Sequence, residues 1–226
     1  AITIPPAARD VTINATGGAL DGSNAFTSGP LNSIIGADVI KTALNVGSSV
    51  VSSTGAGGNQ AGDITVEAPI TKTAGPDASL SLNAHNNIAI NAGITSTAGK
   101  LDLTLTPDSD ANGSGASTLA SGVTLSLNGG TAVFNGTSSL AGTVNVGTLS
   151  ATGGNTTLES SGTLTAAQIN LSGGTLAFNG AATTPSLTQT GGLLGGSGNL
   201  TLTGAGNTWS GGTWSGGGTV TLSEGA

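Results

Sequence analysis

The chain has 226 residues and a formal net charge of −7, and it contains no cysteine. An acidic chain lacks the basic surface that nucleic acids require, so we expect no nucleic-acid partner; without cysteine it has neither disulfides nor thiolate metal sites. Charged residues are 7% of the chain, against roughly 25% in an average domain, so Ser, Thr, Asn and Gly must cover its surface. Aromatic residues are only 2%, which indicates a narrow core of small aliphatic side chains.

The opening segment Ile2-Thr-Ile-Pro-Pro6 combines strand-like residues with two prolines, and no initiator Met precedes it. It indicates a processed or excised piece of a protein. We predict that residues 1–37 form an N-terminal cap or reach into a neighbouring subunit, and that residues 38–226 form repeated coils of one continuous structure. Residues 31–44 come nearest to a helical period, and a single helical turn is the alternative there. No run of about eighteen apolar residues occurs, so no transmembrane segment is expected.

The clearest internal repeat joins residues 63–75 to residues 87–99, an offset of 24 residues. Ile64 falls on Ile88 and Val66 on Ile90, with glycine at the end of both copies. A second repeat joins residues 129–136 to 173–180, an offset of 44. We interpret this offset as two coils of about 22 residues, which predicts core positions two coils apart for Phe134 and Phe178.

Between the repeats, aliphatic residues alternate with polar ones, which is the pattern of β-strands. An antiparallel meander and a stacked solenoid both fit short strands that recur in this way. The in-register repeats favour the solenoid, because stacking places Ile on Ile and sets Asp63 beside Asn87 and Glu67 beside Asn91, with no like charges opposed. The sequence therefore predicts an all-β fold, a right-handed parallel β-helix (β-solenoid) with coils of about 22–24 residues.

Residues 63–99 resemble the repeats of the filamentous haemagglutinin family, the large exoproteins of two-partner secretion. The similarity lies in the stretches Gly-Asp-Ile-Thr-Val and Asn-Asn-Ile-Ala-Ile-Asn-Ala-Gly-Ile-Thr-Ser-Thr-Ala-Gly, and later in Gly-Gly-Thr and Thr-Trp-Ser-Gly-Gly segments, which also resemble autotransporter passengers. The resemblance implies a β-helix shaft, export across a Gram-negative outer membrane, and a role in adhesion or biofilm. The chain departs from the family in showing no recognisable amino-terminal secretion domain.

A candidate metal site lies at Asp108, Asp110 and Asn112, which match the first half of a calcium-binding loop, Asp-x-Asp-x-Asn-Gly. The bidentate Glu that closes such a loop is missing, because Leu119 stands at its position. The alternative interpretation is a solvated turn that leaves the coil. Calcium is thus the one cofactor for which the sequence offers a candidate, and otherwise we expect none.

Candidate ligand residues are Trp209 and Trp214, which lie among Ser, Thr and Gly. An exposed indole ring suits the apolar face of a sugar, so these residues predict a glycan-stacking site. The alternative is that both rings fill or shield one end of the tube, since Trp is mostly buried.

We expect no enzyme. The lone His85 has no metal-binding partners in the sequence. Carboxylates on nearby coils offer a polysaccharide-cleaving alternative, but four Lys and Arg along the whole chain supply few groups to grip an acidic sugar. These carboxylates are Asp63, Glu67, Asp77 and Asp102.

The sequence thus predicts a structural shaft or fibre-forming segment of a secreted bacterial surface protein that serves adhesion, biofilm or matrix. The alternative is a module that binds host or matrix glycans. Open solenoid ends also predict end-to-end self-association into a fibre.

Overall fold

A computed structural model describes residues 8–29 and 32–223. The chain forms stacked parallel coils, and each regular coil contributes one strand to each of three faces. The predicted all-β parallel solenoid is confirmed, while its right-handed sense stays a prediction. Alternating residues form these strands because apolar side chains at every second position turn inward, as in Ala78–Asn83, where buried and half-buried residues alternate.

Face 1 is a sheet of ten strands. In chain order they are β2 (Val11–Asn14), β4 (Ser33–Gly36), β7 (Ile64–Val66), β10 (Ile88–Ile90), β13 (Ala116–Leu119), β16 (Thr137–Leu140), β18 (Asn155–Leu158), β20 (Thr175–Phe178), β23 (Leu193–Gly196) and β26 (Thr213–Gly216). Outside the three faces, β1 (Ala8–Arg9) pairs antiparallel with β6 (Gly55–Ala56).

Faces 2 and 3 form one hydrogen-bonded sheet, because β17 (Thr143–Ala151) and β19 (Thr163–Leu171) run across the corner between them. Face 2 holds β8 (Ile70–Lys72), β11 (Ile94–Ser96), β14 (Thr124–Ser126), the first parts of β17 and β19, β21 (Ala181–Thr184), β24 (Leu200–Leu202) and β27 (Val220–Leu222). Face 3 holds β3 (Ala25–Thr27), β5 (Ser49–Ser53), β9 (Ala78–Asn83), β12 (Leu101–Thr106), β15 (Thr131–Phe134), the second parts of β17 and β19, β22 (Leu187–Gln189) and β25 (Thr208–Trp209).

The register confirms the 24-residue repeat: Ile64 pairs with Ile88 and Val66 with Ile90 on face 1. Coil length then varies around the predicted value. Ile88 pairs with Ser117, an offset of 29, and Ser138 pairs with Thr156, an offset of 18. Strands therefore keep their register while the corners take up the difference in length.

The predicted equivalence of Phe134 and Phe178 is wrong. Phe134 lies on face 3 between Leu105 and Ala151, whereas Phe178 lies on face 1 beside Leu158. Both side chains are buried, so the prediction of core positions holds. The shorter coils after residue 137 make 44 residues more than two turns, which carries the second copy of the motif to another face.

The core is one continuous cluster of Ile, Leu, Val and Ala along the solenoid axis. It also contains Lys72, which points inward and is fully buried. Its ammonium donates to the carbonyls of Ala74 (2.8 Å), Gly75 (3.2 Å) and Ala98 at the corner between faces 2 and 3. In the next coil Ser96 stands in register with Lys72 and donates to the carbonyls of Ala98 and Gly99.

The amino-terminal end is closed by the helix α1 (Ala37–Leu44), which packs on β8, β5, β4 and β9. Its Ile40 and Leu44 are buried with Ala37 and Ala43, so a helical spacing of apolar residues replaces the alternation here. The helix is longer than the single turn considered from the sequence. The predicted boundary between residues 1–37 and 38–226 falls inside it, and the opening segment Ile2–Pro6 lies outside the described residues.

Candidate functional site

The carboxyl-terminal end of the solenoid carries the two tryptophans. Their rings stack on each other with centroids 5.3 Å apart and planes 27° from parallel. Trp209 is 61% exposed and Trp214 is 40% exposed. The structure thus brings together the two residues that the sequence predicts as a ligand site.

The backbone directs both rings toward the solenoid axis. Trp209 pairs in register with Gln189, and Trp214 pairs with Leu194. Both partners are buried, and in-register parallel strands turn paired side chains to the same side. The rings are therefore exposed because no described segment stacks on the last coil.

Gln189 anchors this end from below. Its Oε1 accepts a hydrogen bond from the Trp214 indole N–H, and its Nε2 donates to the carbonyls of Thr213 (3.2 Å) and Gly192 (3.3 Å). The amide is fully buried, so these bonds fix the ring of Trp214 from inside. The sequence gave no sign of Gln189; a polar residue at an inward position of an alternating strand is the signal that could have revealed it.

A cavity of about 180 Å³ lies beside Trp214 at the same end. Phe178, Leu194, Leu200 and Val220 line it together with glycines. The end of the solenoid therefore offers an apolar recess next to a stacked aromatic pair, which suits an apolar surface such as a sugar ring face or another side chain.

A second recess of about 440 Å³ follows the corner between faces 2 and 3. It crosses several coils, and its lining combines polar residues such as Asn128 and Asn145 with Val146 and Pro185. Small residues at this corner in successive coils, Gly129, Gly147 and Ala167, leave the groove open. Their recurrence at one corner is a signal that sequence reasoning did not use.

The candidate calcium loop is closed by its own hydrogen bonds. Asp108 accepts the amides of Asn112 (2.9 Å) and Gly113 (3.1 Å) through its carboxylate, and Asp110 accepts from the Asn112 side chain (2.9 Å). Asn112 Oδ1 in turn accepts the amide of Ser114. This arrangement is that of a solvated turn. Within residues 8–29 and 32–223, no group of three or more His, Cys, Asp and Glu residues could hold a metal ion, and calcium at this loop stays a prediction.

The candidate catalytic carboxylates serve as links between coils. Asp63 accepts the amide of Asn87 (2.9 Å), Asp77 that of Lys100 (2.8 Å) and Asp102 that of Thr131 (2.7 Å). Each bond joins a side chain to the main chain of the following coil. The predicted neighbourhood of Asp63 and Asn87 is therefore confirmed.

His85 lies at a crowded corner. Its amide donates to Thr54 Oγ1 (2.9 Å), and its Cβ is so close to Gly62 that a side chain at Gly62 would clash. Its position in the turn after β9 matches the prediction of a turn residue.

None of the described helical structure is long and apolar enough to cross a membrane. No family model, curated protein or solved structure matches the chain. The resemblance to filamentous haemagglutinin repeats therefore stays a prediction, and the solenoid itself is the ground for assigning a function.

Proposed function

We propose that the chain is a structural shaft or fibre-forming segment of a bacterial extracellular surface protein, serving adhesion or a matrix. The observation that carries this proposal is the uninterrupted stack of ten strands on face 1. At about 4.8 Å per coil, such a stack extends roughly 43 Å. A rod of this kind separates whatever is attached to its two ends.

The side surface supports a spacer role. Outward ladders consist of uncharged hydroxyls, such as Thr71 under Thr95 (3.3 Å between Oγ1 atoms) and Thr143 under Thr163 (3.4 Å). Such a surface is hydrated without strong charge, and it gives each coil the same outer chemistry as the next. Secretion and the bacterial cell surface follow from the family resemblance, and the lack of cysteine is compatible with them.

The proposal includes the absence of catalysis. Its support is that Asp63, Asp77 and Asp102 accept main-chain amides of neighbouring coils, which gives these carboxylates a structural role. The test is incubation with acidic polysaccharides, where the appearance of new reducing ends would show an enzyme.

The shaft is tested by removing one coil. Thr156 pairs with Leu176, so deletion of residues 156–175 removes one whole coil and keeps the register. We expect a folded rod that is shorter by about 4.8 Å in small-angle scattering. Deletion of residues 156–165 is the control, because half a coil turns inward residues of one face onto another, and it should abolish folding.

The cellular role is tested by immunogold labelling of the cells that make the protein. Label on filaments or at the outer surface supports a surface shaft. Label confined to the cell interior contradicts it, whatever the outcome of the coil deletion.

The second candidate function is glycan binding at the carboxyl-terminal end, and the exposed pair of Trp209 and Trp214 favours it. A glycan array tests it with the unaltered chain and with Trp209→Ala and Trp214→Ala. Leu222→Ala is the matched control, since Leu222 is also apolar and exposed at this end. Binding that both tryptophan variants lose and the control keeps would support the site, and binding to no sugar would exclude it.

A further inference from the structure

The two ends of the solenoid differ in how their strand edges are covered. At the amino-terminal end, α1 packs on β8, the first strand of face 2, and on the neighbouring β4 and β5. At the other end, β25, β26 and β27 have a strand on one side only, and no segment within residues 8–29 and 32–223 covers the other side. A bare edge offers unpaired N–H and C=O groups to any strand that meets it.

Charge differs in the same way. Residues 160–223 contain no Asp, Glu, Lys, Arg or His, whereas the first 159 residues carry all the ionisable side chains except Glu224. Proteins commonly protect sheet edges with charges, prolines or a covering segment. In place of such protection, the exposed end has Trp209, Trp214 and Leu222, the last of which is 64% exposed.

We propose that two copies of the chain associate tail to tail through this end, as a dimer with a two-fold axis. The proposal goes beyond the shaft function, and it replaces the head-to-tail fibre expected from the sequence with a closed pair. The occupant of the open end is a second copy because two uncharged, identical edges meet without like-charge repulsion despite a chain charge of −7.

The two-fold axis determines which strands pair. Turning a solenoid over reverses the direction in which its chain circulates, so strands that meet across the interface run antiparallel, which is a favourable pairing. An axis through the middle of face 1 pairs β26 with β26 of the second copy. It also exchanges the other two faces, so β25 of each copy meets β27 of the other.

The pitch of the solenoid fits the same axis. The last three strands follow one another in the order β25, β26, β27, and each coil rises by about 4.8 Å, so β27 stands higher than β25. The two-fold axis sets the higher strand of each copy against the lower strand of the other. The step at the end is thus complementary to itself, which is the property an isologous interface needs.

Association also buries the aromatic pair. Trp209 and Trp214 point toward the solenoid axis, so a second copy on this end encloses them, together with the recess beside Trp214, in a core that continues through both copies. Head-to-tail contact lacks this continuity, because α1 with its charged Asp38 and Lys41 stands where face 2 would have to pair.

The experiment uses a pair of opposite charges at Ser215. Ser215 is exposed on β26 and lies next to the inward Trp214, so it faces outward. In an antiparallel pair of β26 strands, outward residues lie opposite themselves or two positions away. Ser215→Lys and Ser215→Asp therefore each bring like charges together at the interface. Ala177→Lys is the control, since Ala177 lies outward on the same face two coils below.

Sedimentation measures association over a wide range of protein concentration. We expect a dimer for the unaltered chain and for Ala177→Lys, and a dimer weakened at least about fivefold for each Ser215 variant alone. An equal mixture of the Lys and Asp variants should restore the dimer, because the charges are then opposite. Circular dichroism checks that all variants fold.

A monomer at every concentration overturns the proposal, and so does growth into species larger than a dimer, which is head-to-tail assembly. Dimers that neither Ser215 variant weakens also overturn it, since they form elsewhere. Each of these outcomes is compatible with a shaft, so failure of the dimer is distinguishable from failure of the proposed function.

Discussion

The side chain of Asn45 forms three hydrogen bonds to the edge of the solenoid at Thr73 and Ala74. Its Oδ1 accepts the amide of Thr73 at 2.9 Å and that of Ala74 at 3.1 Å, and its Nδ2 donates to Thr73 Oγ1 at 3.4 Å. Asn45 directly follows α1, at the point where a preceding coil would otherwise lie beneath β8. A single amide side chain therefore substitutes for the main chain of a missing strand.

Asn45→Ala should lower the free energy of unfolding by about 1 kcal/mol, because two edge amides lose their acceptor. Asn45→Asp keeps the acceptor oxygen and should cost less. Urea denaturation followed by circular dichroism measures both, and equal losses in the two variants would show that the acceptor oxygen is not what stabilises the edge.

Lys72→Met should destabilise the protein by about 2 kcal/mol, because three corner carbonyls lose a charged donor. Lys72→Ser should be tolerated better, since Ser96 already bonds the equivalent carbonyls of the next coil with a hydroxyl. Thermal and urea unfolding compare the two. If Met proves as stable as Lys, relief from burying a charge outweighs the lost bonds.

Two buried threonines should respond to the same substitution with opposite sign. Thr156 Oγ1 has no hydrogen-bond partner among the described residues, so Thr156→Val should stabilise the protein by about 1 kcal/mol. Thr184 Oγ1 donates to the carbonyl of Ser186 at 2.8 Å and accepts its amide at 3.2 Å, so Thr184→Val should destabilise it by about 1–2 kcal/mol. Denaturant midpoints measured side by side give the sign directly, and destabilisation by Thr156→Val would indicate an unseen partner.

The loop at Asp108 should be stable without calcium, because main-chain amides already occupy its carboxylate. We expect the same melting temperature in EDTA and in millimolar calcium, and a loss of about 1 kcal/mol in Asp108→Ala under both conditions. Calorimetric titration with calcium is the independent measurement. A calcium-dependent rise in melting temperature that Asp108→Ala abolishes would establish the metal site instead.

Acid should weaken one loop through Asp21. Its carboxylate accepts the amides of Ala25 (2.9 Å) and Ser23 (2.8 Å), and these bonds lower the pKa of Asp21 below its ordinary value of 3.8. Since the folded pKa is the lower one, the stabilisation is complete above pH 3.8 and is lost as the pH falls through the folded pKa. NMR titration of the Asp21 carboxyl carbon should show a midpoint below 3.8, and a midpoint at or above that value would contradict the bonds.

The sequence carried the stacking of coils because identical residues recur at the spacing that stacking requires. Ile64 and Ile88 were predicted as neighbours from their repeat alone, and Ile70 with Ile94 follows from the same offset. Each pair is a local signal: the inward position, the turn glycine and the coil length all agree within these two coils.

The identity of a face is not encoded by a local motif, which is why Phe134 and Phe178 were misplaced. Both follow a Gly-Gly-Thr segment, and one glycine in each has positive φ, Gly129 at 82° and Gly174 at 65°. A corner needs such a glycine before an inward strand whichever two faces it joins. The motif therefore predicts a corner followed by a strand, and only the summed length of all preceding coils tells which corner.

The site at the carboxyl-terminal end was predicted as residues and not as an arrangement. Trp209 and Trp214 are only five positions apart, yet they belong to different faces and meet across the axis. Their ring stacking and the bond from Gln189 depend on how the corner between β25 and β26 turns. That turn is built from Ser210, Gly211 and Gly212, whose small side chains leave no hydrophobic pattern to read.

The coil that contains Asp108 shows that the outline of the rod can change without its backbone ladder changing. Ile88 stays paired with Ser117 although 29 residues separate them, and the extra length is taken up by the turn between β12 and β13. A protein built in this way can acquire new surface features by insertion at a corner, one coil at a time, without a search for a new fold. Foreign peptides grafted between Asp110 and Gly113 should accordingly be displayed on an otherwise unaltered scaffold.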